Sequence, residues 1–401
     1  MSFFKEVTAS LKSEDISKIA RHPLTGISVL IVGAGPAGLY TALECWRKGH
    51  NPRVIDRAPA PSPAGDSFMF GPSAEQHVEK TWPAVYDAAL KTAPDPWISF
   101  HKVTGEKVTG PQPFSFKKDG VVAVNEDGEP GPDRVYRVSR PRFSAALLGQ
   151  VLALGIDVTY GQKAVEYFED ETKAGVTLED GSKVDADVVV AADGLGTKSH
   201  RLINGHDIRA MSSKHSIFRT AYHVDHITSD PELNEMFPLR ENGGAVLQIW
   251  TGDDIQVLVL RAPDVVEWHV VHNDIDGTSQ ESWANKASPE YVVNFLKDNF
   301  PDVPEYLCFL NQTSFLKPAL RNKAGGASAT PKPEYGRWIW AHNPERYAYD
   351  NYGKALRSLV DGTPFQNTNI PPGYNYKPWS LHELYDRIDR EEKVDFEGDW
   401  S

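Results

Sequence analysis

The chain has 401 residues, 40% of them hydrophobic and 24% charged, which is enough apolar material for two domains without disulfide or metal staples. Its 55 acidic residues against 42 basic ones give a formal charge of −13, a surface that repels nucleic-acid phosphates and anionic lipid and excludes both as expected partners. No run approaches the roughly 18 apolar residues of a membrane span, and the N-terminus lacks a signal peptide's apolar core, so a cytoplasmic protein is expected.

Residues 1–26 read as an N-terminal arm carrying a surface helix. ISVLIVGAG (27–35) is a short apolar run ending in glycines, the pattern of a central parallel strand. Helical periodicity follows through GLYTALECWRKG, and PRVIDR (52–57) is a second strand with a charged end. The Pro/Ala/Ser-rich stretch 58–65 is a loop, 74–91 is helical in pattern, and short strands run on to Val124. Residues 136–155 predict a strand, a tight turn and a long helix. Hairpin strands follow, with a turn at Asp180-Gly181, and then an all-apolar buried strand at 188–192. AVLQIW, IQVLVL and VEWHVVH alternate like an antiparallel sheet with one wet face, and PEYVVNFLKDNF closes that region as a helix. Beyond Gly336 an aromatic, proline-rich tail is expected to pack on the body. Cys45 and Cys308, the two cysteines, read as reduced buried thiols.

The fold class expected is α/β: a Rossmann-like dinucleotide domain of the glutathione-reductase type with an antiparallel substrate domain. The boundaries are an arm at 1–26, the dinucleotide domain at 27–213 with an insertion at about 66–135, a substrate domain at 214–306 and a return segment with tail at 307–401. The strongest signal is Gly33-Ala34-Gly35-Pro36-Ala37-Gly38, a G-x-G-x-x-G between a buried strand and a helix. Gly33 permits the tight turn, Gly35 lets a pyrophosphate approach the backbone, and Gly38 lets helix and sheet pack closely. The helix start, with Ala37, supplies an anion site. Asp56, beside Arg57 at the end of the next strand, matches an acid that accepts hydrogen bonds from an adenosine ribose. The cofactor expected is FAD.

Arg140 in VSRPRF, Asp193-Gly194 in DADVVVAADGLGTKSHR and Arg219 in IFRTAYHV resemble the single-component FAD-dependent aromatic hydroxylases of the salicylate and para-hydroxybenzoate hydroxylase type, in their fungal natural-product branch. The resemblance implies that Arg140, Asp193 and Gly194 contact FAD. It also implies that NADPH or NADH reduces the flavin, and that one atom of O₂ is transferred to an electron-rich carbon of an aromatic or polyketide substrate. The family's third signature, a Gly-Asp followed by a helix, is missing. Gly65-Asp66, Gly252-Asp253 and Gly398-Asp399 all stand in the wrong context, and the glycines at 325–326 follow no apolar strand. Two alternatives therefore stand beside the monooxygenase: a flavin-free cyclase, isomerase or dehydratase on the same scaffold, and a noncatalytic carrier of an aromatic, polyketide or terpenoid molecule. Catalytic candidates are Arg219, to stabilise an enolate or phenolate, and His223, to move a proton. Tyr222 is the third, on the opposite strand face by alternation. His269 and His272 have opposite parity, so no metal site is expected. Gln248 and Trp250 share a face that fits either a cavity wall or ordinary sheet packing.

Overall fold

A computed structural model describes residues 2–12, 16–62, 65–91, 93–113, 135–208, 214–274, 287–299 and 344–366, with isolated positions at 212 and between 368 and 392. The elements begin with α1 (Ser2–Lys12), β1 (Ser28–Val32), α2 (Pro36–Arg47), β2 (Asn51–Asp56), β3 (Ser67–Phe70), α3 (Pro72–Thr81) and α4 (Pro83–Ala89). Next come β4 (Trp97–Lys102), β5 (Lys107–Pro113), β6 (Tyr136–Ser139), α5 (Arg140–Ala153), β7 (Asp157–Tyr160), β8 (Ala164–Glu169) and β9 (Ala174–Leu178). Then follow β10 (Lys183–Ala186), β11 (Val188–Ala191), α6 (Ser199–Asn204), β12 (His215–His223), α7 (Asp225–Thr228) and α8 (Pro231–Met236). The last are β13 (Val246–Gly252), β14 (Ile255–Arg261), β15 (Val265–Asn273), α9 (Pro289–Asn299) and α10 (Pro344–Asp361). The expected strands on to Val124, Cys308, the glycines at 325–326 and most of the tail lie outside the described residues. No described helix is long and apolar enough to cross a membrane.

The chain divides into two compact units, residues 1–69, 77–93 and 137–212, and residues 70–76, 94–136 and 213–401. The first is a Rossmann-like layer. Its four strands are all parallel, in the order β11-β1-β2-β7, and the antiparallel meander β8-β9-β10 packs on them. Leu30, Val32 and Ile55 from the sheet meet Tyr167, Val176 and Leu178 from the meander in one buried cluster. The Asp180-Gly181 turn closes β9 onto β10, with Gly181 at φ +84 as a left-handed turn residue requires. α1 seats on α5 at Gly149, where an added Cβ would stand 2.8 Å from the Leu11 Cβ.

Two expectations for this unit need correction. The helix foreseen at 74–91 is two helices, because Pro83 brings no N–H to continue the first and instead starts the second as its N1 residue. The strand at 188–192, foreseen as buried, is β11 at the sheet edge, paired with β1 alone among the described strands, with Val188 45% exposed.

The second unit holds a six-stranded sheet, β12-β15-β14-β13-β4-β5. It is antiparallel except where β13 runs parallel to β4. One face carries Trp250, Val257, Val259, Trp268 and Val270 into a core with Ile227, Phe237 and Leu296 from the α7, α8 and α9 region. The other face is aliphatic around Ile98, Leu247, Leu258 and Leu260.

Candidate functional site

In an open parallel sheet, ligands bind beyond the carboxyl ends of the strands. In the first unit Gly33, Asp56 and Asp193 follow or end β1, β2 and β11, all at that edge. Gly33 sits at φ +114, and a Cβ there would meet the Ala192 carbonyl oxygen at 2.3 Å. Gly38 in α2 is tighter still, its added Cβ 1.8 Å from the Gly33 carbonyl oxygen. Gly35, the N-cap of α2, is the opposite case: nothing lies within 4 Å of its added Cβ, and no side chain caps the helix. The turn is thus packed shut beneath and open above Gly35, with exposed Ala37 beside it, and the first-turn N–H groups are left for an anion.

Asp56 has a structural duty that its position in the sequence did not reveal. One carboxylate oxygen accepts the Ala34 N–H at 2.7 Å and the other the Ala58 N–H at 2.7 Å, so this acid ties the glycine turn to the end of β2. Tyr160, its register partner on β7, has its phenol pushed up to about 12 by burial and by the Asp56 charge. Arg57 is exposed. Arg140 opens α5, where its N–H donates to the Asp66 carbonyl and its side chain lies against Gly65. Gly194 is left-handed at φ +79 with open space around it.

The chemistry of this edge fits FAD in its adenosine and pyrophosphate half. Gly33, Gly35, Ala37 and Gly38 would cradle the phosphates, and the lone pairs Asp56 retains would take ribose hydroxyls. Asp193 fits as well, since its Oδ1 is buried at this edge beside the Tyr167 phenol, and a carboxylate has acceptor positions beyond the one a phenol fills. Asp56→Ala is expected to weaken FAD binding about 10- to 100-fold, because it removes both the ribose acceptor and the staple on the turn. A fluorescence titration measures this, and Asp56→Asn should recover part of the loss.

In the second unit, Arg219 and His223 share a face of β12, but the four-residue separation puts them about 13 Å apart along the strand. His223 is exposed there, with Nδ1 3.0 Å from Asp225 Oδ2. Tyr222 lies on the opposite face, as alternation expects. It packs with the helical core, and burial pushes its phenol up to about 12. Gln248 and Trp250 are sheet packing: the Trp250 indole donates to Gln248, which donates to the Met236 carbonyl, and His101 stacks on Trp250 at 4.2 Å. Burial, aided by Lys107, lowers His101 to about 4, so this ring is a neutral core element.

His272 stacks on Phe218 in that core, while His269 faces the other way. His269 is the residue directly opposite Arg219, and its Nε2 lies 3.8 Å from Glu267 Oε2. Both are almost fully buried, at 4% and 5% exposure. No group of three metal-ligating side chains forms among the described residues. Sequence reasoning missed Glu267 and Tyr167. The available signal was strand alternation, which puts Glu267 on the face of His269 and turns the Tyr167 ring inward.

The comparisons with known proteins agree with this geometry. The profile of the "FAD binding domain" family matches residues 26–268. FAD-dependent monooxygenase fsr3 of Gibberella fujikuroi is 30% identical over 482 aligned positions, covering 96% of this chain and 91% of the relative. FAD-dependent monooxygenase dmxR9 of a Cryptosporiopsis species is 31% identical, covering 96% and 92%. The crystal structure of CtdE in complex with FAD and its substrate 4 shares the fold, at a TM-score of 0.60 and 22% identity over 91% of this chain and 98% of that one. The fsr3 alignment spans 482 positions, yet 96% of 401 residues is about 385, so about 97 positions of it have no counterpart here. A Rossmann-like sheet with its glycine turn intact, a separate substrate-type sheet and relatives of this kind place the chain in the FAD-binding monooxygenases of the flavin-dependent aromatic hydroxylase superfamily, and it is an enzyme of that family.

Proposed function

We propose that the chain hydroxylates an ionisable aromatic metabolite of the phenolic or polyketide type, with NADPH or NADH as reductant. The observation that carries this reading is the Glu267–His269 pair, set on an aliphatic sheet face in register with Arg219. A buried acid beside an imidazole is a weak source of stability, and such a pair is suited to proton transfer near neutral pH. The neutral His269 imidazole takes the phenol proton, leaving a phenolate and an imidazolium, and the Glu267 carboxylate holds the imidazolium. Arg219 offers its charge to the phenolate oxygen, while Leu258, Leu260 and Leu247 receive the ring and exclude water. FAD, held by Gly33, Gly35, Asp56 and Asp193, would supply the redox chemistry when bound, with two electrons from NADPH or NADH, one oxygen atom of O₂ going to the electron-rich carbon and the other to water.

The test begins with purified protein, excess FAD and desalting. A retained flavin spectrum, bleached by NADPH faster when a phenolic substrate is present, is the expected result. Colourless protein after desalting, with no phenol-stimulated NADPH oxidation, overturns the reading. His269→Gln should keep the flavin and lose about 100-fold in turnover, with the neutral-pH limb of the rate profile displaced.

One observation favours a second reading, a flavin-free cyclase, isomerase or dehydratase on the same scaffold. The sequence lacks the third Gly-Asp signature, the part of the flavin site that the family resemblance leads one to expect. Product formation that persists in FAD-free protein selects it.

A further inference from the structure

The first unit contains a buried polar pair that neither the fold nor the glycine turn explains. Tyr167 lies on β8 with its ring in the cluster between sheet and meander, and it is 8% exposed. Its hydroxyl is buried without a hydrogen-bond partner, and it faces Asp193 and Thr197 at the carboxyl edge. Asp193 Oδ1 is likewise buried and unpartnered. Thr197 is engaged elsewhere, with its hydroxyl 3.0 Å from Ser199 Oγ and accepting the Ser199 N–H. A phenol and a carboxylate buried side by side need each other, or a ligand, to complete their hydrogen bonds. A phenylalanine would fill the same core position without that need, so the hydroxyl calls for a reason.

We infer that Tyr167 is a positioning residue of the cofactor site: its phenol donates to Asp193 and fixes that carboxylate to accept a hydroxyl from the polyol chain of the flavin half of FAD. Burial, followed by the Asp193 charge, pushes the phenol far up, so Tyr167 remains a donor at every working pH. The ADP half already has its acceptor in Asp56. The Tyr167–Asp193 pair therefore discriminates FAD from ADP, and the inference rests on the cofactor part of the proposed function, not on the substrate.

The experiment compares FAD and ADP affinities of the wild-type protein and Tyr167→Phe, by flavin fluorescence and by calorimetry. The expected result is a loss of about 10-fold for FAD with ADP unchanged. Asp193→Asn should bind FAD equally well with or without Tyr167. Equal FAD affinity in wild type and Tyr167→Phe overturns the inference alone. Equal losses for FAD and ADP also overturn it, since they mark a packing role. Wild-type protein that binds ADP but not FAD overturns both this inference and the flavin reading above.

Discussion

Gly38→Ala is expected to lower stability by about 3 kcal/mol or more and to abolish FAD binding, whereas Gly35→Val should fold nearly normally and lose only the cofactor. The two glycines belong to one motif but stand in opposite surroundings. An added Cβ at Gly38 would lie 1.8 Å from the Gly33 carbonyl oxygen and 3.3 Å from the Ala192 Cβ. The first neighbour is backbone, so relief requires α2 to lift from β1 and the turn to deform. At Gly35 the added Cβ meets nothing within 4 Å, and the backbone, at φ −75 and ψ 176, is an extended conformation open to any residue. The fold cost there is an N-cap preference of about 1 kcal/mol. The binding cost is larger, because the isopropyl group occupies the space a pyrophosphate needs, and a loss above about 100-fold is expected. Denaturation midpoints and flavin titrations separate the two effects. If Gly35→Val binds FAD as the wild type does, the phosphates do not dock on this turn.

These contrasts also mark what the sequence could convey. The strand–turn–helix at 28–47 was legible because three glycines at fixed spacing demand a backbone conformation or a close approach, and the structure shows which: φ +114 at Gly33, contact at Gly38 and openness at Gly35. Alternation correctly separated Arg219 from Tyr222 and His269 from His272, since side chains on a strand change face at every step. Register was not legible. Nothing local says that Arg219 pairs with His269, fifty residues on, so the sequence shows His223 as its neighbour in the chain, and only the structure adds His269 as its neighbour in space. The exposure of β11 was hidden for the same reason. An apolar tetrapeptide reads as buried on both sides, but whether a further strand covers its edge is decided by chain elsewhere. Tyr167 and Asp193 meet only because the meander folds over the parallel sheet.

The second large effect is expected at Glu44, on the far turns of α2. One of its carboxylate oxygens accepts the Trp82 indole N–H at 2.7 Å, and the other takes both Arg47 donors at 2.9 and 2.6 Å. His77 Nε2 lies 3.4 Å from the first oxygen. Trp82 is fully buried, so Glu44→Ala leaves its indole donor with no water to turn to, and it removes the carboxylate that both Arg47 donors reach. A loss of about 2–3 kcal/mol is expected by urea denaturation. The pH dependence gives a second handle. Burial alone would raise the Glu44 carboxyl, but the hydrogen bonds from His77, Arg47 and Trp82 overrule it and hold the group down at about 2 from an ordinary 4.5. A carboxyl depressed in the folded state contributes stability that is fully present above the unfolded value and is lost as pH falls through the folded one. The wild type should therefore lose this contribution between about pH 4.5 and pH 2, and Glu44→Gln should start from lower stability at pH 7 and fall less steeply across that window. Parallel acid limbs for wild type and Glu44→Gln would show that α2, α3 and α4 are held together by packing alone, with the carboxylate a bystander.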